Sequence, residues 1–368
     1  MKIAIFSPSQ NPYSETFIQA HKNYLADNVS YYYGLYNAIK LENGTIGFSK
    51  RERYIQAFNK HVLNINLGNL QHKAIIKSLR RKEIDVILVE YGNHAHNLLP
   101  LLKKAAIPFV VHFHGFDASQ KKTIEQCNSY EQVFEECANV IAVSKVMENK
   151  LLGLGCPRHK LVYNVYGPRP EFHKVIPAFT KKQFIAIGRF TDKKAPYYTI
   201  LAFHKVLGTH PEAQLFLAGD GALYATCKNL VKHLGIEDNV QLLGIITGEE
   251  YQEYLKTAIA FVQHSITAED GDMEGTPLAI LEASAAGLPV ISTVHAGIQD
   301  VIIHNKTGLL SKEHDVDAMA AHMKSLLDDI DMAKKMGAEG KRIVFDSFNL
   351  KRHIASLQAT LKEAMLQR

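Results

Sequence analysis

The residues Ala268-Glu269-Asp270-Gly271-Asp272-Met273-Glu274-Gly275-Thr276-Pro277 run directly into Leu278-Ala279-Ile280-Leu281-Glu282-Ala283-Ser284-Ala285-Ala286-Gly287-Leu288-Pro289. Glu282 is a lone carboxylate in a run that is otherwise apolar or small. Burying it is expensive unless it is paired or hydrogen-bonded. A vicinal diol such as a ribose offers two donors to one carboxylate. Thr276 reads as an N-cap and Pro277 as the first helical residue. Gly287 supplies a left-handed C-terminal position and Pro289 stops the chain, which predicts a buried helix over residues 277–286. Glu274 lies eight residues before Glu282. On a helix that is about 2.2 turns, placing the two carboxylates on one side and about 12 Å apart. The pair would suit the two ends of an extended sugar nucleotide. Gly275 allows close backbone approach between them, and the N–H groups of a helix N-terminus receive a diphosphate. The competing reading pairs Glu282 with a buried arginine and leaves Glu274 solvated.

A second group of residues supplies positive charge. The apolar run Phe184–Ile187 ends in Gly188-Arg189-Phe190-Thr191-Asp192-Lys193-Lys194-Ala195-Pro196. Gly188 turns the chain at a strand's C-terminal end, where ligands bind in open α/β sheets. Arg189 and Lys194 can then converge on two phosphates and stabilise charge on a departing nucleotide diphosphate. A solvated basic turn is the competing reading. Leu217-Ala218-Gly219-Asp220-Gly221 closes another strand with a glycine turn, in which Asp220 is equally a turn former or a ligand.

In the first half, Phe109–Phe113 runs into His114-Gly115-Phe116-Asp117. His112 and His114 alternate with Phe113 and share one face. His114 is the functional candidate, contacting a donor sugar and developing charge; a hydrogen-bonded structural histidine is the alternative, and the reading kept for His112. Ser14 can cap the helix after the first loop or take part in a donor or acceptor site. Tyr91, Gly92, Asn93 and His94 follow another strand end and are placed near an acceptor by position alone.

These residues need a scaffold. Short apolar runs alternate with helical patterns: Lys2–Phe6, Val29–Tyr36, Asp85–Val89, Phe109–Phe113, Val140–Val143 and Leu161–Val165 as strands, with Glu15–Leu25, Asn93–Lys104 and Ile124–Glu136 among the helices. The second half repeats the alternation with strands Phe184–Ile187, Gln214–Ala218, Val240–Leu243, Ala260–Gln263 and Pro289–Ser292. Its helices are Tyr197–Leu207, Ala222–Leu234, Glu249–Lys256, Pro277–Ala286 and Val316–Asp328. Alternation of this kind predicts doubly wound parallel sheets. At 368 residues two domains are expected. The punctuated stretch Gly167-Pro168-Arg169-Pro170 divides them into residues 1–170 and 171–349. The tail, residues 350–368, has apolar residues at helical spacing and can pack back on the first domain.

A net charge of +5 is too mild to name a partner. The four cysteines are too dispersed for a disulfide framework and read as reduced thiols of a cytoplasmic protein. The run Met1–Phe6 stops at Pro8, too short for a signal-peptide core, and no stretch of 18 apolar residues marks a membrane span. Lys73, Lys77, Arg80 and Arg81 leave two readings open, a solvated helix face or contact with anionic lipid. No aromatic platform or module supports nucleic-acid binding.

The Glu274–Glu282 segment resembles the Glu-(seven residues)-Glu signature of family-four retaining glycosyltransferases. Gly271–Gly275 and Gly287-Leu288-Pro289-Val290-Ile291-Ser292-Thr293 look most like the subgroup that builds colanic acid and amylovoran-type exopolysaccharides. The turn after Gly188 is similar to that family's Gly-Arg…Lys-Lys-Gly turn, with Lys194 rather than Lys193 on the phosphate and Ala195 where glycine is usual. His114-Gly115-Phe116-Asp117 resembles its first-domain histidine motif, and Ser14-Glu15-Thr16-Phe17 stands where many relatives carry a glycine pair.

The resemblance implies the GT-B fold, two Rossmann-like domains facing a cleft. The second would hold a nucleotide diphosphate sugar through Gly188, Arg189, Lys194, Gly219, Gly244, Glu274, Gly275, Thr276, Pro277, Leu278 and Glu282. The resemblance also implies a saccharide or lipid-linked saccharide acceptor, with uridine and a hexose such as galactose in the donor. Asp270-Gly271-Asp272 matches the Asp-x-Asp string of metal-dependent transferases, yet Arg189 and Lys194 already supply charge, so neither a catalytic metal nor a cofactor is expected. The rivals are a nucleotide-sugar epimerase of the same architecture and a nucleotide-sugar-binding protein without catalysis. A dinucleotide dehydrogenase is weaker, since no Gly-x-Gly-x-x-Gly follows the first strand.

Overall fold

A computed structural model describes residues 1–13, 15–25, 28–35, 38–46 and 68–367. Ser14 and Tyr36, named above, lie outside these residues. The chain divides into two compact units: Met1–Ala142 with Glu148–Asn164 and Ile354–Arg368, and Val143–Met147 with Val165–His353. Gly167 is packed inside the second unit, where a Cβ would come within 2.2 Å of the Leu350 backbone. The Gly167–Pro170 stretch is thus a tightly held segment as well as a punctuated one.

The first unit holds β1 (Lys2–Ser7), β2 (Asn28–Tyr33), β3 (Lys40–Leu41), β4 (Val86–Glu90), β5 (Phe109–His112), β6 (Asn139–Ala142) and β7 (Leu161–Tyr163). They form one sheet in the order β3-β2-β1-β4-β5-β6-β7, parallel except for the short edge strand β3. Ile3, Ala4, Ile5 and Phe6 are fully buried, as a parallel strand covered on both faces requires. The predicted helix Ile124–Glu136 is broken into Lys121–Gln126, a 3₁₀ turn at Asn128–Tyr130, and Glu131–Glu136. Ser129 and Tyr130 adopt φ of 50° and 63°, left-handed values no helix interior accepts.

The second unit holds β8 (Gln183–Ile187), β9 (Gln214–Ala218), β10 (Val240–Gly244), β11 (Ala260–Val262), β12 (Val290–Thr293) and β13 (Gly308–Ser311). Their order is β10-β9-β8-β11-β12-β13, with every pairing parallel. The sequence pattern did not reveal β3 or β13. In each unit the strand order reverses at the first strand, between β1 and β4 and between β8 and β11. Loops leaving such neighbours diverge and open a crevice at their C-terminal ends.

The helix following Pro277 spans Leu278–Ala286 and is almost wholly buried. Gly287 ends it at φ 96°, donating its N–H to the Ala283 and Ser284 carbonyls. The helix Ile330–Ser347 packs against this end so closely that a Cβ on Gly337 would lie 2.0 Å from the Gly287 carbonyl oxygen.

Candidate functional site

In the second unit the reversal point carries the expected cations. Gly188 leaves β8 and donates its N–H to the Ala218 carbonyl. Gly219 adopts φ 129°, and a Cβ there would sit 1.9 Å from the Gly188 carbonyl oxygen, so the two turns meet only because this residue is glycine. Gly219 in turn donates to the Gly244 carbonyl at 2.6 Å, tying together the loops after β8, β9 and β10. Asp220 acts as a turn former, its Oδ1 accepting the Gly221 N–H at 2.7 Å. Gly188, Arg189, Lys194, Thr199 and Gln263 line one pocket. Arg189 is exposed, and among the described residues its guanidinium has neither an ion-pair nor a hydrogen-bond partner.

The two neighbouring lysines divide their tasks. Lys193 is buried; its Nζ donates to Asp272 Oδ1 at 2.9 Å and to the Met273 carbonyl at 3.1 Å. Asp272 of the Asp-x-Asp string is therefore held by a lysine. Lys194 Nζ lies 3.2 Å from Glu274 Oε2 and donates to Gln263 Oε1 at 3.3 Å. Burial lowers the Lys194 pKa, with Glu274 opposing. Ala195 follows at φ 37°, ψ 52°, the left-handed region where glycine sits without strain.

Glu274 is 8% exposed, not solvated. Burial works to raise its pKa, but Lys194, Lys193 and His295 outweigh that and hold it below the usual carboxylate range. Its Oε1 is buried, with no hydrogen-bond partner among the described residues. Its backbone is pinned as well: the Glu274 N–H donates to His295 Nε2 at 3.1 Å, while His295 Nδ1 lies 2.6 Å from Glu313 Oε1. With Nε2 accepting, the imidazole donates from Nδ1 to the carboxylate.

Glu282 takes the arginine partner of the competing reading. Arg169 Nε donates to Glu282 Oε1 at 2.9 Å, and the guanidinium stacks on Phe172 at 4.7 Å. Burial pushes Glu282 up to about 7, with Arg169 pulling the other way.

Two expectations for the helix are corrected. Thr276 is no cap; its hydroxyl donates to the Val143 carbonyl at 2.6 Å. Pro277, extended at ψ 118°, occupies the N-cap position, Leu278 is the first helical residue, and no side chain among the described residues caps the helix. Glu274 therefore precedes the helix, and the 3.6-residue projection that aligned it with Glu282 does not reach it. Gly275 contributes as an acceptor, its carbonyl receiving the Gly297 N–H at 3.0 Å, where a Cβ on Gly297 would come within 2.1 Å of that oxygen.

In the first unit His114 follows β5. Asp117 shapes its turn, with Oδ1 accepting the N–H groups of His114 and Gly115 and Oδ2 that of Gly92. The His114 ring is 3% exposed and lies between Phe17 and Tyr91, with centroids at 4.6 and 4.5 Å. Its Nε2 is 2.8 Å from Glu90 Oε2, and Glu90 also meets His21 and His112. His112 and His114 do share a face, with ring centroids 4.4 Å apart. His94 is buried, which pushes its pKa down to about 4. Among the described residues, the group of His, Cys, Asp and Glu side chains close enough to share a metal ion is His21, Glu90 and His112, within 4.8 Å. The 2.7 Å between His21 and Glu90 is a hydrogen-bond length. Two ligands of a tetrahedral zinc with bonds of about 2.0–2.1 Å stand farther apart, at roughly 3.3 Å.

Arg169, Gln263, His295, Glu313, Glu90 and His21 were not singled out in the sequence. Glu90 carried the signal that exposed Glu282: a carboxylate closing the apolar strand Val86-Ile87-Leu88-Val89. The partners of Glu274 gave none, because they come from loops far apart in the chain.

Residues 168–343 match the family described as glycosyl transferases group 1, and residues 49–164 match glycosyltransferase family 4. The amylovoran biosynthesis glycosyltransferase AmsK of Erwinia amylovora is 35% identical over 64% of this chain and 60% of its own length. The putative colanic acid biosynthesis glycosyltransferase WcaL of Escherichia coli K12 is 30% identical over 68% of this chain and 63% of its own. The chain thus spans roughly three fifths of the length of these curated relatives. Among solved structures, Anabaena HepE in complex with UDP superposes with a TM-score of 0.77 at 17% identity, covering 98% of this chain and 100% of that one. A sucrose-phosphate synthase from Thermosynechococcus elongatus gives 0.76 at 17% identity over the whole of both chains. The shared fold is GT-B.

Proposed function

The chain belongs to the group 1, family-four glycosyltransferases, and from that premise we propose that it moves a hexose, with retention, from a UDP-sugar to a saccharide or lipid-linked saccharide in surface polysaccharide synthesis. One observation carries the proposal. The guanidinium of Arg189, without a partner among the described residues, the partly buried ammonium of Lys194 and the unsatisfied Glu274 Oε1 converge on the strand-order reversal of the second unit. The first two suit a diphosphate, and the third suits a sugar hydroxyl.

As the bond from the anomeric carbon to the diphosphate oxygen breaks, charge builds on that oxygen. Arg189 and Lys194 stabilise it without a metal. The acceptor hydroxyl attacks from the leaving-group side and passes its proton to a phosphate oxygen. Glu282, with one oxygen on Arg169, offers the other to the ribose, while the backbone of Gly275–Leu278 flanks the sugar. Gly188, Gly219 and Gly244 let the base and diphosphate approach the backbone. His114 is the first unit's contribution to the transfer.

On this reading the transfer takes place on the cytoplasmic side. No helix among the described residues is long and apolar enough to cross a membrane. In the helix Gly68–Arg81 the apolar face, Ala74, Ile75 and Leu79, is buried, while Lys73, Lys77 and Arg80 are exposed. This basic face is our candidate for contact with anionic lipid.

The test is a panel of UDP-, GDP- and ADP-sugars with EDTA present, following nucleotide release, alongside Glu282→Ala and Arg189→Ala. Release from one UDP-sugar, lost in both variants, supports the reading. Isomerised donor without release, or binding without turnover when lipid-linked acceptors are supplied, overturns it.

A further inference from the structure

Glu90 ends β4 fully buried, and three imidazoles close around it. Its Oε1 lies 2.7 Å from His21 Nδ1, its Oε2 2.8 Å from His114 Nε2, and His112 Nδ1 stands 3.6 Å from that second oxygen. Burial alone would keep the carboxyl neutral, but His21 and His114 reverse this and lower its pKa to about 2. An ionised carboxylate only accepts hydrogen bonds, so both facing nitrogens must carry hydrogen. For a neutral His114 this fixes Nε2–H and leaves the lone pair on Nδ1. The remaining freedoms of the ring are closed by Phe17 and Tyr91 on its sides and by Asp117 on its backbone.

We propose that Glu90 is a positioning residue for the transfer: it holds His114 as the Nε2–H tautomer in one orientation, with His21 anchoring the opposite carboxylate oxygen. The inference rests on the reading that His114 acts in the reaction. An amide in place of the carboxylate would present a donor as readily as an acceptor, so the ring could flip or change tautomer.

The first measurement uses the wild-type protein. Long-range ¹H–¹⁵N correlation of the imidazoles, with His114 assigned by its loss in His114→Gln, is expected to show Nε2–H at neutral pH. An Nδ1–H His114 overturns the proposal. In steady-state kinetics Glu90→Gln should lower kcat about a hundredfold, the scale of a misplaced catalytic group, with donor KM changed less than about twofold. Glu90→Asp should recover part of the loss, and Glu90→Gln with His114→Gln should be no slower than His114→Gln alone. If His114→Gln leaves turnover intact, the reading of His114 is wrong and the inference goes with it. If His114→Gln slows turnover while Glu90→Gln does not, the positioning role alone is wrong. Should Glu90→Gln fail to fold by circular dichroism, His21→Asn replaces it, with the same drop in kcat expected and an unchanged kcat overturning the proposal.

Discussion

The two units solve the same geometric problem and place opposite chemistry at the solution. Each has a parallel sheet whose strand order reverses at its first strand, and each gathers ionisable side chains at the C-terminal ends of the strands flanking that point. In the first unit one carboxylate, Glu90, sits among three imidazoles and its oxygens are taken up by them. In the second, two lysines serve the acidic loop, Arg189 stays exposed, and Glu274 Oε1 stays unsatisfied. A cluster that satisfies itself holds a side chain in place, whereas one left short of partners is completed by a ligand. The same topology thus yields a self-satisfied cluster in one unit and an unsatisfied one in the other, the latter being the donor site proposed above.

The comparison is broken most directly at Glu274. Glu274→Gln is expected to reduce turnover about a thousandfold, some 4 kcal/mol of transition-state stabilisation, with circular dichroism unchanged. A variant that turns over normally would mean that the unsatisfied oxygen is not a ligand site.

The next effect is a difference in pH-dependent stability. Glu282 is raised to about 7, so its contribution is full below pH 4.5 and is lost as pH rises to 7. Glu90 is lowered to about 2, so its contribution is full above pH 4.5 and is lost as pH falls to 2. Each amounts to about 3 kcal/mol over its window. In urea titrations at a series of pH values, Glu282→Gln should gain on the wild type as pH rises from 4.5 to 7. The deficit of Glu90→Gln should shrink as pH falls from 4.5 to 2. Slopes of the same sign would show that burial alone, and not the partners, sets the charge states.

A smaller effect separates the adjacent lysines. Lys193→Met should lower unfolding free energy by about 2 kcal/mol, because it strips hydrogen bonds to a charged partner and a carbonyl. Lys194→Met should instead act mainly on turnover. Equal loss of stability in both would erase the division of tasks. The smallest effect is at Ala195, where glycine relieves left-handed strain. Ala195→Gly should raise stability by about 1 kcal/mol in the same titration and leave donor use unchanged.

Strand–helix alternation, the two halves and the end of the Leu278–Ala286 helix were legible because they depend on local pattern: apolar runs, glycine and proline. The cation-bearing turn after β8 was legible for the same reason, since a glycine ends a strand and charges follow. The broken stretch from Lys121 to Glu136 was not, because of its three positive-φ residues, Asn128, Ser129 and Tyr130, asparagine alone is a type that announces such a conformation. The helix start was misread because Thr276 has a stronger use in tertiary contact with Val143 than as a cap.

The sequence by itself determined which residue types are present, at what spacing, and hence the architecture. Tertiary structure alone decided who meets whom. Glu282 meets Arg169, Glu274 meets Lys194 and His295, and Glu90 meets His21 and His114. These partners lie 21 to 113 residues apart along the chain in the hydrogen bonds that join them, and no local rule connects them. The charge of a buried carboxylate is the balance between desolvation and its neighbours, so it exists as a property only once the fold has brought those neighbours to it.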